Sequence, residues 1–243
     1  KKEEKQAVIR LKEAISDLGF SCSEKQIKQF EDYMSGILEW NEKVNLTRIT
    51  DKDEFIVKHF IDSLVCCGYA EYANARKIID VGTGAGFPGI PLAILSPEKD
   101  FVLMDSLKKR LKIIDELCEN AEISNVATVH ARAEELARNK QHREKYDLCV
   151  SRAVANMAVL AEYCLPFIKV GGFLMAYKGP EAEEEAAAAA RAVKTLGGEI
   201  LEIRDANLSA YDISHKIIVI KKVKNTAAKF PRKAGTPSKE PLL

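Results

Sequence analysis

The sequence has no run of about 18 apolar residues, the length that a helix needs to cross a bilayer. We therefore expect no membrane segment. The opening residues, Lys-Lys-Glu-Glu-Lys, also lack the apolar stretch of a secretory signal peptide. Both absences favour a protein that resides in the cytoplasm.

Cysteine chemistry is sparse as well. The sequence contains six cysteines, but none form a Cys-x-x-Cys pair and none has a histidine at the spacing of a metal ligand. The pattern predicts neither a disulfide framework nor a metal site. Several of these cysteines lie in apolar runs, so we interpret all of them as reduced core residues: Cys22, Cys66, Cys67, Cys118, Cys149 and Cys164.

Net charge is almost absent. Lysine and arginine number 37 and aspartate and glutamate 36, which excludes a generally polycationic nucleic-acid coat. The carboxyl-terminal end is the exception, because seven basic residues and one acidic residue follow from position 221 onward, a local charge of +6. We interpret residues 224–243 as a basic arm that meets a polyanionic partner. A solvated tail is the alternative.

The rest of the composition, 47% hydrophobic and 30% charged over 243 residues, is that of an ordinary globular protein with a buried core. Apolar residues at helical spacing predict a helix over residues 4–18 and another over residues 23–40. Ser23 and Gln26 predict a capping box at the start of the second helix. We assign residues 1–70 to a helical N-terminal extension.

Residues 71–223 alternate short apolar runs with helical stretches. The alternation predicts an α/β domain with a mostly parallel seven-stranded sheet that helices cover on both faces. The last two runs lie close together in the sequence, which predicts an antiparallel final strand, an ending typical of methyltransferases and not of dinucleotide dehydrogenases. The predicted strands are residues 77–81, 101–104, 126–129, 146–150, 173–177, 199–203 and 216–223.

The strongest motif is KIIDVGTGAGFPG, residues 77–89, a strand that enters a glycine turn and then a helix. Gly84, Gly86 and Gly89 match the dinucleotide fingerprint GxGxxG. However, Asp80 stands two residues before Gly82. A carboxylate there would repel a pyrophosphate, whereas it suits the ammonium group of an amino-acid ligand such as S-adenosylmethionine.

The second predicted strand ends at Asp105, in FVLMDS. A carboxylate at this position accepts hydrogen bonds from ribose hydroxyls in nucleoside-binding sheets. This role fits NAD as well as S-adenosylmethionine. The alternative is a structural one, in which Asp105 caps the helix that begins near Leu107.

Several motifs occur together in the order found in the glucose-inhibited division protein B family, which this sequence resembles over about residues 35–235. The resemblance implies a Rossmann-like class I methyltransferase that uses S-adenosylmethionine to methylate N7 of a guanine in small-subunit ribosomal RNA. The motifs are WNEKVNLT (40–47), KHFIDS (58–63), DVGTGAGFPG (80–89), LMDS (103–106), ARAEE (131–135), SRAVA (151–155), YKG (177–179) and the tail KFPRKAGTPSKEPL (229–242).

The resemblance also implies cofactor contacts at Gly82, Phe87, Ala133, Glu134 and Arg152, which join Asp80, Gly84, Gly86 and Asp105 as the predicted cofactor site. The sequence leaves alternatives for some of them. Glu134 also suits the first turn of a helix, where an acid is favourable. Arg152 also suits a salt bridge to Asp80 or Asp62.

A guanine N7 has a free lone pair and no proton to lose, so the implied reaction needs positioning and no general base. We assign positioning roles to Asn41, Asp62, Arg152 and Lys178, and expect Phe87 to help exclude water. Only the resemblance brings Trp40, Asn41, Asn45, His59 and Asp62 to the site. A buried polar pair of His59 and Asp62, and a solvated Lys178, are the structural alternatives.

The expected partner is small-subunit ribosomal RNA or an assembling small subunit, met by a protein that is active as a monomer. The basic arm then contacts RNA phosphates, with Phe230 available to stack on a base. Two other functions fit the sheet motifs: a methyltransferase that acts on a protein or small molecule, and a nucleotide- or RNA-binding module without activity. An NAD-dependent oxidoreductase fits them less well.

Overall fold

A seven-stranded β-sheet is the centre of the fold, in a computed structural model that describes residues 2–206, 211 and 214–242. Its strands coincide with the apolar runs that the sequence predicts, although β5 is longer than expected. The strands are β1 (Lys77–Val81), β2 (Asp100–Asp105), β3 (Val126–His130), β4 (Tyr146–Arg152), β5 (Ile168–Lys178), β6 (Gly198–Asp205) and β7 (Lys216–Lys222).

The strand order in the sheet is β3-β2-β1-β4-β5-β7-β6. Strands β1 to β5 pair in parallel, while β7 inserts antiparallel between β5 and β6. The predicted antiparallel final strand is therefore confirmed, as is the Rossmann-like α/β class. The direction in which successive strands are added to the sheet reverses at β1, which has β2 on one side and β4 on the other. Open α/β sheets bind ligands at such a point, at the carboxyl ends of the strands.

Helices cover both faces of the sheet. Ser23 begins α2 with the predicted capping box, in which its hydroxyl accepts from the backbone N–H of Gln26 at 3.2 Å. A π-helical turn (Ile56–Ile61) and a 3₁₀ turn (Val65–Gly68) interrupt the helical run before the sheet. The α-helices are α1 (Lys2–Asp17), α2 (Glu24–Asn41), α3 (Lys52–Phe55), α4 (Asp62–Leu64), α5 (Ala70–Ala73), α6 (Gly89–Leu95), α7 (Lys108–Asn120), α8 (Ala133–Leu136), α9 (Met157–Cys164), α10 (Ala182–Thr195) and α11 (Thr236–Lys239).

Two hydrophobic clusters lie on opposite faces of the sheet. The N-terminal helices pack with α6 and α7 against one face, which includes Ile78. Helices α8, α9 and α10 cover the other face, which includes Ile79. Successive side chains of a strand point to opposite faces, so a strand covered on both sides is apolar throughout. The N-terminal helices therefore share a core with the sheet.

All six cysteines are free thiols, and all but Cys22 are buried. The interpretation as core residues is therefore confirmed for five of them, whereas Cys22 is only half-buried. Burial raises the pKa of the Cys118 thiol to about 12, so this thiol stays protonated at neutral pH. Among the described residues, no helix is long and apolar enough to cross a membrane.

Residues 224–242, here called the C-terminal strap, run back over α8 and α9. Phe230 is only 5% exposed and packs in the cluster on that face of the sheet. The prediction that Phe230 is available to stack on RNA is therefore wrong. Burial of this aromatic ring stabilises the packing of the strap against the rest of the protein. The basic residues around Phe230 in the sequence give no sign of this burial.

Candidate functional site

Two clefts open at the carboxyl ends of the strands. The first cleft has a volume of about 310 Å³ and the second of about 660 Å³. Ala153 and Val154, which follow β4, line both of them. The first cleft is lined by Val81, Gly82, Met104–Leu107, Arg110, Ala131–Glu134, Ala153, Val154 and Tyr163. The second is lined by Lys58, His59, Asp62, Arg152–Asn156, Tyr177–Gly179, Glu185 and His215.

Asp80 lies behind the glycine loop and is completely buried. Its Oδ2 accepts from the Thr83 hydroxyl at 2.7 Å and from the Gly89 N–H at 2.9 Å, so it holds both ends of the loop. Its Oδ1 has no hydrogen-bond partner among the described residues. Burial raises the pKa of Asp80 to about 6 despite these hydrogen bonds. An unpartnered buried carboxylate oxygen is what a cationic ligand would satisfy.

Two glycines of the loop, Gly82 and Gly86, have other atoms so close to them that a side chain would collide. Gly82 has a φ of +74°, and a Cβ on it would lie 2.5 Å from Cγ2 of Val154. Gly86 has a φ of +93°, and a Cβ there would lie 2.3 Å from the Tyr33 hydroxyl oxygen. Both positions therefore exclude any larger residue. Gly82 lines the first cleft and presents bare backbone to it.

Asp105 lines the first cleft and anchors the loop that faces it. Its Oδ2 accepts from the Gly84 N–H at 3.0 Å, and its Oδ1 accepts from the Leu107 N–H at 2.8 Å. The structural alternative, in which Asp105 caps α7, is wrong, because the N-cap residue is Leu107 and this helix start has no side-chain cap hydrogen bond. Each carboxylate oxygen can accept a second hydrogen bond, so the two backbone contacts leave acceptor capacity for a ribose.

Ala133 and Glu134 begin α8 and line the first cleft, as the resemblance implies. Glu134 is 5% exposed, and its Oε1 accepts from the backbone N–H of Gly235 at 2.8 Å. The C-terminal strap therefore reaches a predicted cofactor residue. The sequence contains no signal for this contact, because the two residues are 101 positions apart.

Asp62 is the centre of the second cleft's charged cluster and is 1% exposed. Its Oδ2 accepts from Nη1 of Arg152 at 2.6 Å, which confirms one of the two ion pairs considered for Arg152. Its Oδ1 contacts Nδ1 of His215 at 2.7 Å. Burial raises the pKa of Asp62, but the His215 and Arg152 hydrogen bonds outweigh this effect and hold the pKa below its usual value.

His215 is a residue that sequence reasoning missed. It precedes β7 and stands 153 positions from Asp62, so no local pattern links the two. The hydrogen bond to Asp62 raises the pKa of His215 above its ordinary value. The imidazole side chain remains 47% exposed in the second cleft, where the raised pKa favours its charged form more than in an ordinary histidine.

His59 stacks on Phe87, with ring centroids 4.4 Å apart and an interplanar angle of 4°. Its Nδ1 lies 3.2 Å from Nη2 of Arg152, and its Nε2 lies 2.8 Å from the Thr47 hydroxyl. Because an arginine can only donate, Nδ1 is the acceptor and Nε2 carries the proton. Burial, followed by the Arg152 charge, lowers the pKa of His59 to about 3, so the ring is neutral.

Lys178 is also held in place. Its Nζ donates to the Ala155 carbonyl and to Oε2 of Glu185, each at 2.6 Å. Its side chain is 8% exposed, so the alternative of a solvated lysine is wrong. The ammonium group ties the residues after β4 to α10, and it lines the second cleft.

Asn41 and Trp40 lie further from the clefts. Oδ1 of Asn41 accepts from the N–H groups of Leu46 and Thr47 at 2.8 and 2.9 Å, which places Thr47 against His59. Trp40 instead donates to Glu116 on α7 at 3.3 Å. Asn41 therefore lines neither cleft, and the structure connects it to the second one only through Thr47 and His59.

Comparison with known proteins identifies the family. Residues 26–212 match the family model described as rRNA small subunit methyltransferase G. The chain belongs to this family. Membership confirms the resemblance found in the sequence, and with it the expectations of methyltransferase activity and of S-adenosylmethionine as the cofactor.

Relatives match almost the whole chain. The ribosomal RNA small subunit methyltransferase G of Clostridium novyi (strain NT) is 47% identical over 95% of this chain and 95% of its own. That of Alkaliphilus oremlandii (strain OhILAs) is 49% identical over 96% of this chain and 97% of its own. The identity extends over both the sheet and its flanking segments.

Solved structures share the fold at low identity. Fibrillarin from Aeropyrum pernix, solved with natively bound S-adenosyl-L-methionine, has a TM-score of 0.52 and 12% identity, covering 68% of this chain and 75% of that one. A Methanococcus jannaschii fibrillarin, a pre-rRNA processing protein, has a TM-score of 0.51 and 17% identity, covering 64% of this chain and 70% of that one. These likenesses support the Rossmann-like architecture.

The residues of the first cleft fit S-adenosylmethionine. Asp80 is buried behind the glycine loop and does not itself line the cleft, but its unpartnered Oδ1 places a negative charge beside the loop that suits a cationic amino-acid end. The bare backbone at Gly82 permits close approach, and Asp105 retains acceptor capacity for hydroxyls. Leu107 and Val154 are among the few large apolar side chains that stay exposed, and both line this cleft, where they provide a surface for a flat ring.

Proposed function

We propose that the protein transfers a methyl group from S-adenosylmethionine to N7 of a guanine in 16S ribosomal RNA of the small subunit. The observation that carries this proposal is the pair of clefts that meet at Val154. The first has the carboxylates of Asp105 and Glu134 in its lining, and the second is lined by several cationic side chains. The first suits a nucleoside with a cationic tail. The second suits a nucleotide with an anionic backbone.

The cofactor residues divide by ligand group. Asp80 and the backbone at Gly82, Gly84 and Gly86 serve the amino-acid end, Asp105 serves the ribose, and Ala133 and Glu134 serve the purine. Phe87 is buried beneath the loop against His59, and the Arg152 guanidinium lies 5.5 Å from its ring centroid. Phe87 lines neither cleft and supports Arg152, which lines the second cleft next to Ala153 and Val154. In this proposal the pair helps to keep water from the reacting atoms.

When bound, S-adenosylmethionine supplies an electrophilic methyl group on a positively charged sulfur. A guanine N7 can attack the methyl carbon with its lone pair while the bond from the methyl group to sulfur breaks. The electron pair of that bond stays on sulfur, which leaves as a neutral thioether, and no proton has to leave the guanine. His59 fits a reaction without a base, because its Nδ1 already accepts from Arg152 and its pKa of about 3 makes it a poor proton acceptor. Its role is to hold Phe87 and Arg152 in place.

Asp62 acts as a positioning residue in this proposal. Both of its oxygens are engaged, by Arg152 and His215, and it is 1% exposed. It therefore orients two cations that face the target nucleotide. Lys178 adds a third cation and fixes the segment that carries Val154. Such preorganised donors orient a base for in-line attack without moving during the reaction.

We place the protein in the cytoplasm as a monomer, in agreement with a ribosomal RNA substrate and with clefts that a single chain completes. Sedimentation of the purified protein at working concentration should show one chain per particle. A stable dimer would contradict the monomer.

The test of the proposed function is nucleoside mass spectrometry of small-subunit ribosomal RNA from cells with and without the gene. We expect 7-methylguanosine at one site to disappear without the protein and to return with the wild-type gene. In a second assay, the purified protein is given S-adenosylmethionine with a labelled methyl group, together with purified ribosomal proteins or small molecules as substrates. Label transferred only to those, or binding of NAD in place of S-adenosylmethionine, would overturn the proposal.

A further inference from the structure

The C-terminal strap is fastened to the body beside the first cleft. Arg232 donates from Nε and Nη2 to both oxygens of Glu162, with the shortest contact at 2.7 Å. Glu162 is 1% exposed. Charge-assisted bidentate pairs of this kind fix orientation as well as position. Arg232, which stands three positions before Gly235, is therefore held against α9.

Backbone carbonyls of the strap are held by two arginines that follow α8. Arg143 donates to the carbonyls of Phe230 at 2.9 Å and Thr226 at 2.8 Å, and Arg138 donates to the carbonyl of Pro231 at 2.5 Å. Phe230 itself is buried. These contacts fix the path of the strap in the residues before Gly235. The backbone N–H of Gly235 therefore has a defined direction.

Gly235 then turns into α11 with a φ of +84°, a left-handed conformation that favours glycine. In this turn its N–H donates to Oε1 of Glu134 at 2.8 Å. Among the residues that the structure describes, Oε2 of Glu134 accepts no hydrogen bond. The carboxylate is 5% exposed and lines the first cleft. One oxygen is held by the strap, and the other is left for a ligand donor.

We infer that the C-terminal strap belongs to the cofactor-binding machinery, with Gly235 as the residue that positions Glu134 to accept a hydrogen bond from the exocyclic amine of the cofactor's purine. The inference rests on the proposed function, which places that purine in the first cleft. It gives the strap a role in selecting adenine over a purine that carries a carbonyl at the same position, because a carboxylate repels a carbonyl oxygen.

This role differs from the one that the sequence suggests. Arg232 is committed to Glu162, Lys222 is fully buried with its ammonium group on the Leu165 and Ile168 carbonyls, and Phe230 is in the core. The net charge counted from position 221 onward therefore overstates how many positive charges are available to bind RNA. Its exposed lysines remain on the outer side: Lys221, Lys224, Lys229, Lys233 and Lys239.

The test compares Gly235→Ala with a matched control, Gly171→Ala. Both glycines have a left-handed φ, +84° and +89°, and both have open space where the Cβ would be. Gly171 lies near the start of β5, at the opposite end of the strand from the clefts. Both variants should lower the melting temperature by a similar amount, roughly 2–6 °C, because the backbone strain is the same.

Binding is measured by calorimetry with S-adenosylhomocysteine and with S-inosylhomocysteine, in which hypoxanthine replaces adenine. We expect the wild-type protein to prefer the adenine compound by about tenfold or more. Gly235→Ala should weaken binding of the adenine compound by about fivefold to tenfold and narrow the preference, while Gly171→Ala changes neither. Identical behaviour of the two glycine variants would overturn the inference.

Glu134→Gln gives a second readout that a merely structural role of Glu134 would not move. The glutamine can still accept from Gly235 through its oxygen, which directs its amide nitrogen toward the ligand. The preference for adenine should then fall by about tenfold or reverse. An unchanged preference would contradict the inference. If the wild-type protein bound neither compound, the proposed function itself would fail, so the two failures are distinguishable.

Discussion

The N-terminal helical region and the C-terminal strap both lie outside the sheet in the sequence, yet each completes a different cleft. The N-terminal region brings His59 and Asp62 to Arg152 and builds the second cleft through buried charged side chains. The strap brings a backbone N–H to Glu134 and supports the first cleft. We propose a division of labour, in which the front of the chain serves the substrate and the end serves the cofactor.

The two regions also differ in how they are vulnerable. Removal of one partner from the Asp62 cluster leaves a buried charge without compensation, which is strongly destabilising. The strap acts through the main chain, so most side-chain changes along it leave the contact to Glu134 intact. Variants in the first region should therefore have larger effects than variants in the second.

The largest effect is expected for Asp62→Asn, which breaks the pairs with Arg152 and His215. We expect kcat to fall by about a hundredfold or more and the free energy of unfolding to fall by about 3 kcal/mol, because two cations lose their buried partner. S-adenosylmethionine affinity should change by no more than about threefold. Steady-state methylation assays, calorimetry and chemical denaturation measure these quantities.

A matched control for this variant is Glu71→Gln, which breaks a side-chain pair with Arg204 away from both clefts. It should alter stability modestly and leave kcat unchanged. If Asp62→Asn kept its kcat and instead lost cofactor affinity, the assignment of the N-terminal region to the substrate side would be wrong.

The next effect concerns Glu134→Ala in the first cleft. S-adenosylmethionine affinity should fall by about tenfold to a hundredfold, the scale of a hydrogen bond to a charged group, about 1.5–3 kcal/mol. The KM for ribosomal RNA should stay within about twofold. The neighbouring Glu135 is exposed, so Glu135→Ala is the control and should bind the cofactor normally. Equal losses in both variants would remove Glu134 from the cofactor site.

Asp105→Ala should weaken cofactor binding by about 1–3 kcal/mol, because the ribose loses an acceptor and the glycine loop loses its anchor at Gly84. Asp105→Asn retains an oxygen for one of these two contacts and should lose less. The comparison of the two variants by calorimetry separates the ribose contact from the support of the loop. Unchanged affinity in a folded Asp105→Ala protein would reject the ribose role.

The smallest effect is a pH dependence. Burial lowers the pKa of His59 to about 3, so this residue is neutral throughout the range from about pH 6.5 to 8.5 and single-turnover rates at saturation should be level. The hydrogen bond to Asp62 raises the pKa of His215 above that of an ordinary imidazole, so its positive charge persists to higher pH than usual and is lost as the pH rises through that pKa. The KM for RNA should therefore rise about twofold to threefold toward alkaline pH.

His215→Gln should abolish the rise in KM, whereas His142→Gln should keep it, since His142 contacts Tyr146 and lines neither cleft. A log-linear increase of the saturated rate with pH would show that a base is required. That result would move the target from N7 to an atom that carries a proton.

Local patterns made the sheet and the first cleft predictable. Asp80, Gly82 and Asp105 stand at fixed positions relative to strand ends, and short continuous apolar runs locate those strands. The contacts between Asp62 and His215 and between Glu134 and Gly235 join residues 153 and 101 positions apart. No periodicity encodes such pairs, because they depend on how the helices and the strap pack.

Charged residues in the sequence were a misleading guide to exposure in two places, the C-terminal strap and Lys178. The basic composition around Phe230 suggested an exposed arm, but Arg232 is paired with Glu162 and the ring is in the core. For Lys178 the sequence left a solvated lysine open beside the positioning role, whereas the structure shows its side chain 8% exposed and paired with Glu185 on α10. Composition reports how many charges a segment has, and the tertiary structure decides which of them remain free.

The central claim is that the cofactor occupies the first cleft and the target nucleotide the second, with the junction at Val154. The most direct measurement is a crystal structure of the protein with S-adenosylhomocysteine. We expect the purine against Glu134, the ribose on Asp105, the amino group directed to the glycine loop, and the sulfur at Val154 facing the second cleft. A ligand bound in the second cleft, or a purine without contact to Glu134, would contradict the account.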